Sequence, residues 1–231
     1  MIKYFLTGGC SFTAGEHTWP NYLLETIFEN RPREHFYNLA MSGGGNSQIC
    51  DNLIFCLESK KYFNPLETVI VINITELDRF DIMCPIIHPN KNPYFGWGDH
   101  DFNFNWINST QGSLTDPSTL YKFILKNVGY EQIIISSCLS IIKLFSYLES
   151  KKYNYFFMTI NDSVTDKSPD WFGNFINCRE NKWVKLDDQK SMFSYCKKHN
   201  LLEDDNFHPS ILGHKEIANI IKQKTNLFKT H

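Results

Sequence analysis

The chain has 231 residues, of which 42% are hydrophobic, 15% aromatic and 21% charged, which is enough apolar material for one sizeable core and far from the composition of a disordered chain. Lys+Arg 23 against Asp+Glu 25 leaves a formal net charge of -2, so no global basic field draws in phosphate backbones and nucleic acid is not an expected partner. No apolar run approaches the roughly 18–20 residues of a membrane span, and the seven cysteines are scattered without a C-x-x-C pair, so neither a disulfide framework nor a zinc site is expected and a reducing, cytoplasmic setting is.

Lys3–Thr7 reads as a buried strand rather than a signal peptide, because its short apolar run stops abruptly at Gly8-Gly9. A helix follows from Trp19-Pro20, with Pro in its first turn and Tyr22, Leu23, Ile27 and Phe28 on one face. His35–Ala40 is expected to be a second strand, and Gly43-Gly44-Gly45 leads from it into a helix that runs from Asn46-Ser47 to about Ser59, with Ile49, Leu53, Ile54 and Leu57 inward. Thr68–Ile74 is the most apolar strand of the chain. Its core, Val69-Ile70-Val71-Ile72, is β-branched throughout and belongs in the centre of a sheet covered on both faces.

From Asp81 to Pro117 the regularity gives way to Pro85, Pro89, Pro93 and Asn/Asp clusters, which reads as an insertion or lid. Helical spacing returns over Pro117–Leu125 and Glu131–Glu149, followed by a strand at Tyr153–Ile160, a short strand at Trp183–Leu186 and a helix at Asp188–Lys198. The last helix starts at Pro209 and runs to about Gln223, with Ile211, Leu212, Ile217, Ala218 and Ile221 as its buried stripe. Strands alternating with helices along one chain predict a single α/β domain, residues 1–231, built on a mostly parallel sheet.

Three segments carry chemistry, and each sits at the exit of a predicted strand or the start of the last helix, where open α/β sheets place their sites. Gly8-Gly9-Cys10-Ser11-Phe12-Thr13-Ala14-Gly15 holds a serine at the tip of a small-residue turn, either as an exposed nucleophile or as an ordinary helix cap. Asp205-Asn206-Phe207-His208-Pro209 sets a carboxylate three residues before a histidine, a spacing that lets Asp205 fix one imidazole nitrogen and leave the other as a base, or that makes His208 a surface helix cap. Asn38-Leu39-Ala40-Met41-Ser42-Gly43-Gly44-Gly45-Asn46 ends a strand in glycines whose N–H groups can face an oxyanion, or simply make a turn.

Together these blocks resemble the SGNH (GDSL-type) hydrolase family, and the resemblance spans Lys3 to about Gln223. It implies a flavodoxin-like three-layer α/β/α sandwich and a Ser-His-Asp triad in which Ser11 is the nucleophile, His208 the base and Asp205 the acid, with no metal or organic cofactor. It also implies an oxyanion hole built from Ser11 and Gly43, and the Trp19-Pro20 pair resembles a variant within such enzymes. Cys10 stands where the family usually has an acidic residue. The third block, Ile72-Asn73-Ile74-Thr75-Glu76, places Thr75 where the family has its oxyanion asparagine, so Thr75, Asn73 in a slipped register, or Asn46 has to supply that donor.

The chemistry implied is hydrolysis of a small acyl ester through an acyl-enzyme. The insertion adds Tyr94-Phe95-Gly96-Trp97-Gly98-Asp99-His100-Asp101-Phe102-Asn103-Phe104-Asn105-Trp106, and Trp97 and Trp106 are candidate contacts for a sugar ring or an acyl chain if the string is not a satellite cluster pinning a loop. An O-acetyl group on carbohydrate is therefore the preferred substrate, with lipid or thioester hydrolysis as alternatives. From another class, a carbohydrate-binding or structural module with weakened catalysis stays open on the altered third block. His17 is a further candidate for the pocket wall.

Overall fold

In the computed structural model, which describes residues 2–27, 35–79, 81–85, 104–108 and 126–225, the all-apolar strand lies where its composition requires. This strand, β3 (Thr68–Ile74), is buried at every position. It pairs in parallel with β1 (Tyr4–Gly8) on one side and with β6 (Asn154–Thr159) on the other, and β1 pairs in parallel with β2 (Phe36–Asn38). The four-stranded sheet thus has the order β2-β1-β3-β6.

Because side chains alternate along a strand, each central strand feeds two cores. Leu6, Ile70, Ile72, Ile74, Tyr155 and Phe157 face one side and pack with α2 (Asn46–Ser59), α3 (Tyr130–Ser150) and α5 (Asp170–Asn177) through Leu53, Ile141, Leu144, Phe145 and Phe172. Phe5, Val69, Val71 and Met158 face the other side, against Trp19 and Leu23 of α1 (Trp19–Ile27), Cys196 of α6 (Met192–Lys198) and Ile217 and Ile221 of α7 (Ile211–Thr225). α4 (Ser163–Asp166) is a single turn after β6. Helices on both faces of a parallel sheet make the three-layer α/β/α sandwich, and each fully buried Leu, Ile or Phe contributes about 1.5–3 kcal/mol to it.

Several boundaries differ from the sequence reading. Trp183–Leu186 is not a full strand: one parallel bridge joins Trp183 to Phe157 beyond the 3-10 turn Glu180–Lys182, and a second joins Ser191 to Thr159. Ser191 rather than Asp188 opens α6, its hydroxyl accepting the N–H of Ser194. The region taken as irregular from Asp81 contains an antiparallel ribbon, β4 (Asp81–Pro85) against β5 (Phe104–Asn108). On α7 the buried residues begin at Gly213 and His214, while Ile211 and Leu212 are more than half exposed. Phe28, Trp97 and the helix expected over 117–125 lie outside the described residues.

α3 is long and apolar enough to cross a membrane by length and composition alone. Its inner stripe, Ile134, Cys138, Ile141, Leu144, Phe145 and Leu148, is spent on the sheet, and Lys143 on its outer side pairs with Asp51 at 2.7 Å.

Candidate active site

The turn after β1 is shaped by a threonine and a glycine. The N–H groups of Thr13 and Ala14 both donate to the Cys10 carbonyl, at 2.9 and 3.0 Å, so the chain curls around Ser11. Thr13 Oγ1 accepts Asn73 Nδ2 at 3.0 Å from β3 and Trp19 Nε1 at 3.3 Å from α1. This packing leaves no room at Gly9, where a Cβ would stand 2.4 Å from Thr13 Oγ1. The Thr13 carbonyl accepts Asn38 Nδ2 and Thr18 Oγ1, both at 2.9 Å, which ties the serine turn to the end of β2 and the start of α1. Asn73, expected as a possible oxyanion donor, braces the turn instead, and a lone amide inside an apolar strand is the sequence sign of this role.

His208 reaches Ser11 from the other end of the chain, on a loop held by its own short bridges. Glu203 N–H donates to the His208 carbonyl at 2.8 Å, Ser210 N–H donates to the Leu201 carbonyl at 2.7 Å, and Asn206 turns the chain with φ 56°. The imidazole lies 5.1 Å from the Phe12 ring and 5.2 Å from the Phe207 ring. Its Nε2 is 3.0 Å from Ser11 Oγ, and its Nδ1 is 2.5 Å from Asp205 Oδ2. Asp205 Oδ1 accepts the N–H groups of Phe207 and His208, at 2.8 and 2.9 Å.

The hydrogen bond with His208, followed by the two backbone N–H groups, holds the Asp205 carboxyl down at about 2, so Asp205 is an acceptor only. With the shared proton on His208 Nδ1, the Nε2 lone pair would face the Ser11 hydroxyl. Such a chain of serine, imidazole and carboxylate can draw a proton from the serine as it attacks an electrophile.

The loop after β2 sits beside the serine turn, because Met41 N–H donates to the Gly9 carbonyl at 3.0 Å. Gly43 turns there with φ 75°, a left-handed conformation that favours glycine. Ser11 N–H has no partner among the described residues. Thr75 is fully buried just past β3, and its hydroxyl has no partner among the described residues either.

The geometry corrects the roles expected of two asparagines. Asn46 is buried, with Nδ2 engaged by the Thr75 carbonyl at 3.1 Å, the Glu76 carbonyl at 3.3 Å and Ser137 Oγ at 2.8 Å, so its amide hydrogens are committed to the scaffold rather than left for an oxyanion. Asn73 Nδ2 is committed to Thr13 in the same way. His17 is exposed. Trp106 pairs with Met83 in the β4–β5 ribbon.

The start of α2 gains a cap from outside. Asp81, first residue of β4, accepts Gly45 N–H at 2.8 Å and Gln48 N–H at 3.0 Å, which satisfies two donors that a helix N-terminus leaves open. No sequence pattern announces this cap, since the carboxylate comes from 36 residues away.

No family model matches the sequence, and no curated protein matches it. Solved structures do. A member of the lipolytic protein G-D-S-L family from Veillonella parvula DSM 2008 superposes with a TM-score of 0.52 at 12% identity, covering 95% of this chain and 96% of that one. TesA gives 0.51 at 10% identity over 96% and 97%. The psychrotrophic esterase EstA from Pseudoalteromonas sp., inhibited by monoethylphosphonate, gives 0.50 at 13% identity over 97% of each chain. The likeness establishes the SGNH-type α/β/α fold, from the family whose blocks the sequence resembles.

Proposed function

We propose that this chain is a serine hydrolase acting on ester bonds, with Ser11 as nucleophile, His208 as general base and Asp205 as the group that orients it. The observation that carries the reading is the unbroken chain of contacts Ser11 Oγ, His208 Nε2, His208 Nδ1 and Asp205 Oδ2, at 3.0 and 2.5 Å, assembled from residues 197 positions apart. The SGNH-type fold supports it, because the serine turn and the glycine loop leave the ends of the adjacent parallel strands β1 and β2, and His208 meets Ser11 there.

In the reaction, Ser11 Oγ attacks the ester carbonyl while its proton passes to His208 Nε2. The tetrahedral intermediate collapses, the alcohol departs with that proton, and an acyl-serine remains. Water then attacks the acyl group with His208 again as base, releasing the acid and restoring Ser11. The oxyanion is received by Ser11 N–H and the Thr75 hydroxyl, with Gly43 shaping the adjoining loop; each such donor is worth about 2.7–4 kcal/mol in the transition state.

A small acyl group fits this reading, and an O-acetyl group on carbohydrate is its preferred form, supported by the aromatic string that ends at Trp106. The test is intact-mass analysis after a fluorophosphonate probe, beside Ser11→Ala and His208→Ala. One adduct on the folded protein, lost in both variants, is the expected result. No adduct on a folded protein sinks the hydrolase reading. Release of acetate from O-acetylated glycans, compared with p-nitrophenyl esters of longer acids, then decides the acyl preference.

A further inference from the structure

We propose that Arg79 is a substrate-recognition residue that receives an anionic group, a carboxylate or phosphate, carried by the ester. This rests on the serine-hydrolase reading, which it deepens by naming the substrate class.

The segment that carries Arg79 borders the site at both ends. Gly8 of β1 pairs with Ile72 of β3, so Ser11 and Thr75, each three residues further on, leave the same edge of strands about 4.8 Å apart. Thr75 is fixed to α2 by its N–H, which donates to Asn46 Oδ1 at 3.0 Å. Asp81, at the far end, is fixed to the same helix start through the N–H groups of Gly45 and Gln48. Arg79 therefore lies on a short strap between the exit of β3 and the glycine loop.

Its side chain is 11% exposed, yet its hydrogen-bonding capacity is largely unspent. Nε donates to Glu76 Oε2 at 2.8 Å, and Glu76 Oε1 in turn accepts Asn161 Nδ2 at 2.7 Å. Nη1 and Nη2 have no partner among the described residues. A guanidinium kept only to pin Glu76 would meet it with two nitrogens, as bidentate pairs do. Here Glu76 holds one edge, and no described residue takes the outer fork.

Apart from Glu76, no acid among the described residues bonds that fork, although the Arg79 charge acts on Asp81. Asp78 takes Tyr130 Oη at 3.1 Å and Lys167 Nζ at 3.8 Å, and Asp81 is engaged at the helix start. What is left is a largely covered, donor-only group with fixed orientation. The acceptor it matches is a pair of oxygens on one anionic centre, because the guanidinium fork fits carboxylate and phosphate geometry.

The experiment compares two fluorophosphonate probes that share the reactive phosphorus, one with a neutral alkyl tail and one whose tail ends in a carboxylate. Wild-type protein is expected to react about ten-fold faster with the carboxylate probe at low salt. Arg79→Gln is expected to bring the two rates together, and Arg79→Lys to keep part of the difference, since it retains the charge without the fork. Equal rates in wild type, or an Arg79→Gln variant that slows both probes by one common factor, overturns the proposal. If neither probe labels Ser11, the hydrolase reading fails, and melting temperature decides the anion site instead. Succinate or inorganic phosphate raising the melting temperature of wild type but not of Arg79→Gln supports it, and no rise in wild type overturns it.

Discussion

Asn46 and Thr75 hold each other at two points: Thr75 N–H donates to Asn46 Oδ1 at 3.0 Å, and Asn46 Nδ2 donates to the Thr75 carbonyl at 3.1 Å. The backbone of Thr75 is thereby immobilised while its hydroxyl, buried and without a partner among the described residues, stays unspent. On the proposed mechanism the helix supplies rigidity and the threonine the donor, a division of labour in place of the single asparagine that the family resemblance implies.

Thr75→Val tests this directly. Valine keeps the shape and removes a hydroxyl that bonds nothing among the described residues, so stability should be unchanged or slightly higher. If the hydroxyl receives the oxyanion, kcat on p-nitrophenyl acetate should fall about 10²-fold. Full activity in a stable Thr75→Val protein would remove Thr75 from the mechanism.

Asn46→Ala should behave in the opposite way, as a stability variant first. It strands Thr75 N–H, two carbonyls and Ser137 Oγ in a buried position. A loss of about 2–4 kcal/mol in urea unfolding is expected. A loss under about 1 kcal/mol would mean that water replaces the amide.

How much of this was legible beforehand follows from how local each signal is. β3 announces itself in four consecutive β-branched apolar residues, and Ser11 and His208 announce themselves by residue type at strand and helix boundaries, so the layered fold and the candidate triad were readable. Asn46 was misread because its partners stand 29 and 91 residues away, and polarity alone does not say whether an amide serves a ligand or the scaffold. Ile211 and Leu212 were misplaced for a related reason: they precede the first turn that packs, and the stripe of α7 begins only at Gly213. Trp183–Leu186 has strand composition, but only Val184 N–H reaches the Phe157 carbonyl, at 2.8 Å, so the sheet ends there in a bridge. Asp81 and Arg79 fell in or beside a stretch read as irregular, and only tertiary contacts reveal them.

Asp205→Asn should separate orientation from folding. The amide oxygen can still accept the N–H groups of Phe207 and His208, so the loop should persist with little change in melting temperature. Its NH2 group would meet His208 Nδ1 as a donor and impose the other tautomer, leaving Nε2 protonated toward Ser11. A fall in kcat of about 10³–10⁴-fold is expected, with fluorophosphonate labelling slowed in parallel. Unchanged kinetics would remove Asp205 from the relay.

Stability against pH offers the last prediction, because two buried groups pull in opposite directions. His214 on α7 accepts the Trp19 N–H through Nδ1 at 3.3 Å, and burial, with a smaller contribution from the charge of neighbouring His208, lowers it to about 4. Below its unfolded value of about 6.5 the unfolded chain takes a proton that the folded chain refuses, so this histidine removes stability as pH falls from about 6.5 to 4. Asp81 is raised to about 6, chiefly by burial. The folded chain then takes a proton that the unfolded carboxylate refuses until about pH 4, so Asp81 adds stability over nearly the same interval. Each amounts to at most about 3 kcal/mol, and wild-type stability should therefore change little between pH 6 and 4. His214→Asn, which keeps an acceptor near Trp19, should become more stable relative to its own pH 7 value as pH falls to 4. Asp81→Asn should lose stability steeply over the same range. Urea midpoints at half-unit steps decide it, and parallel curves for wild type and both variants would show that neither group governs the acid response.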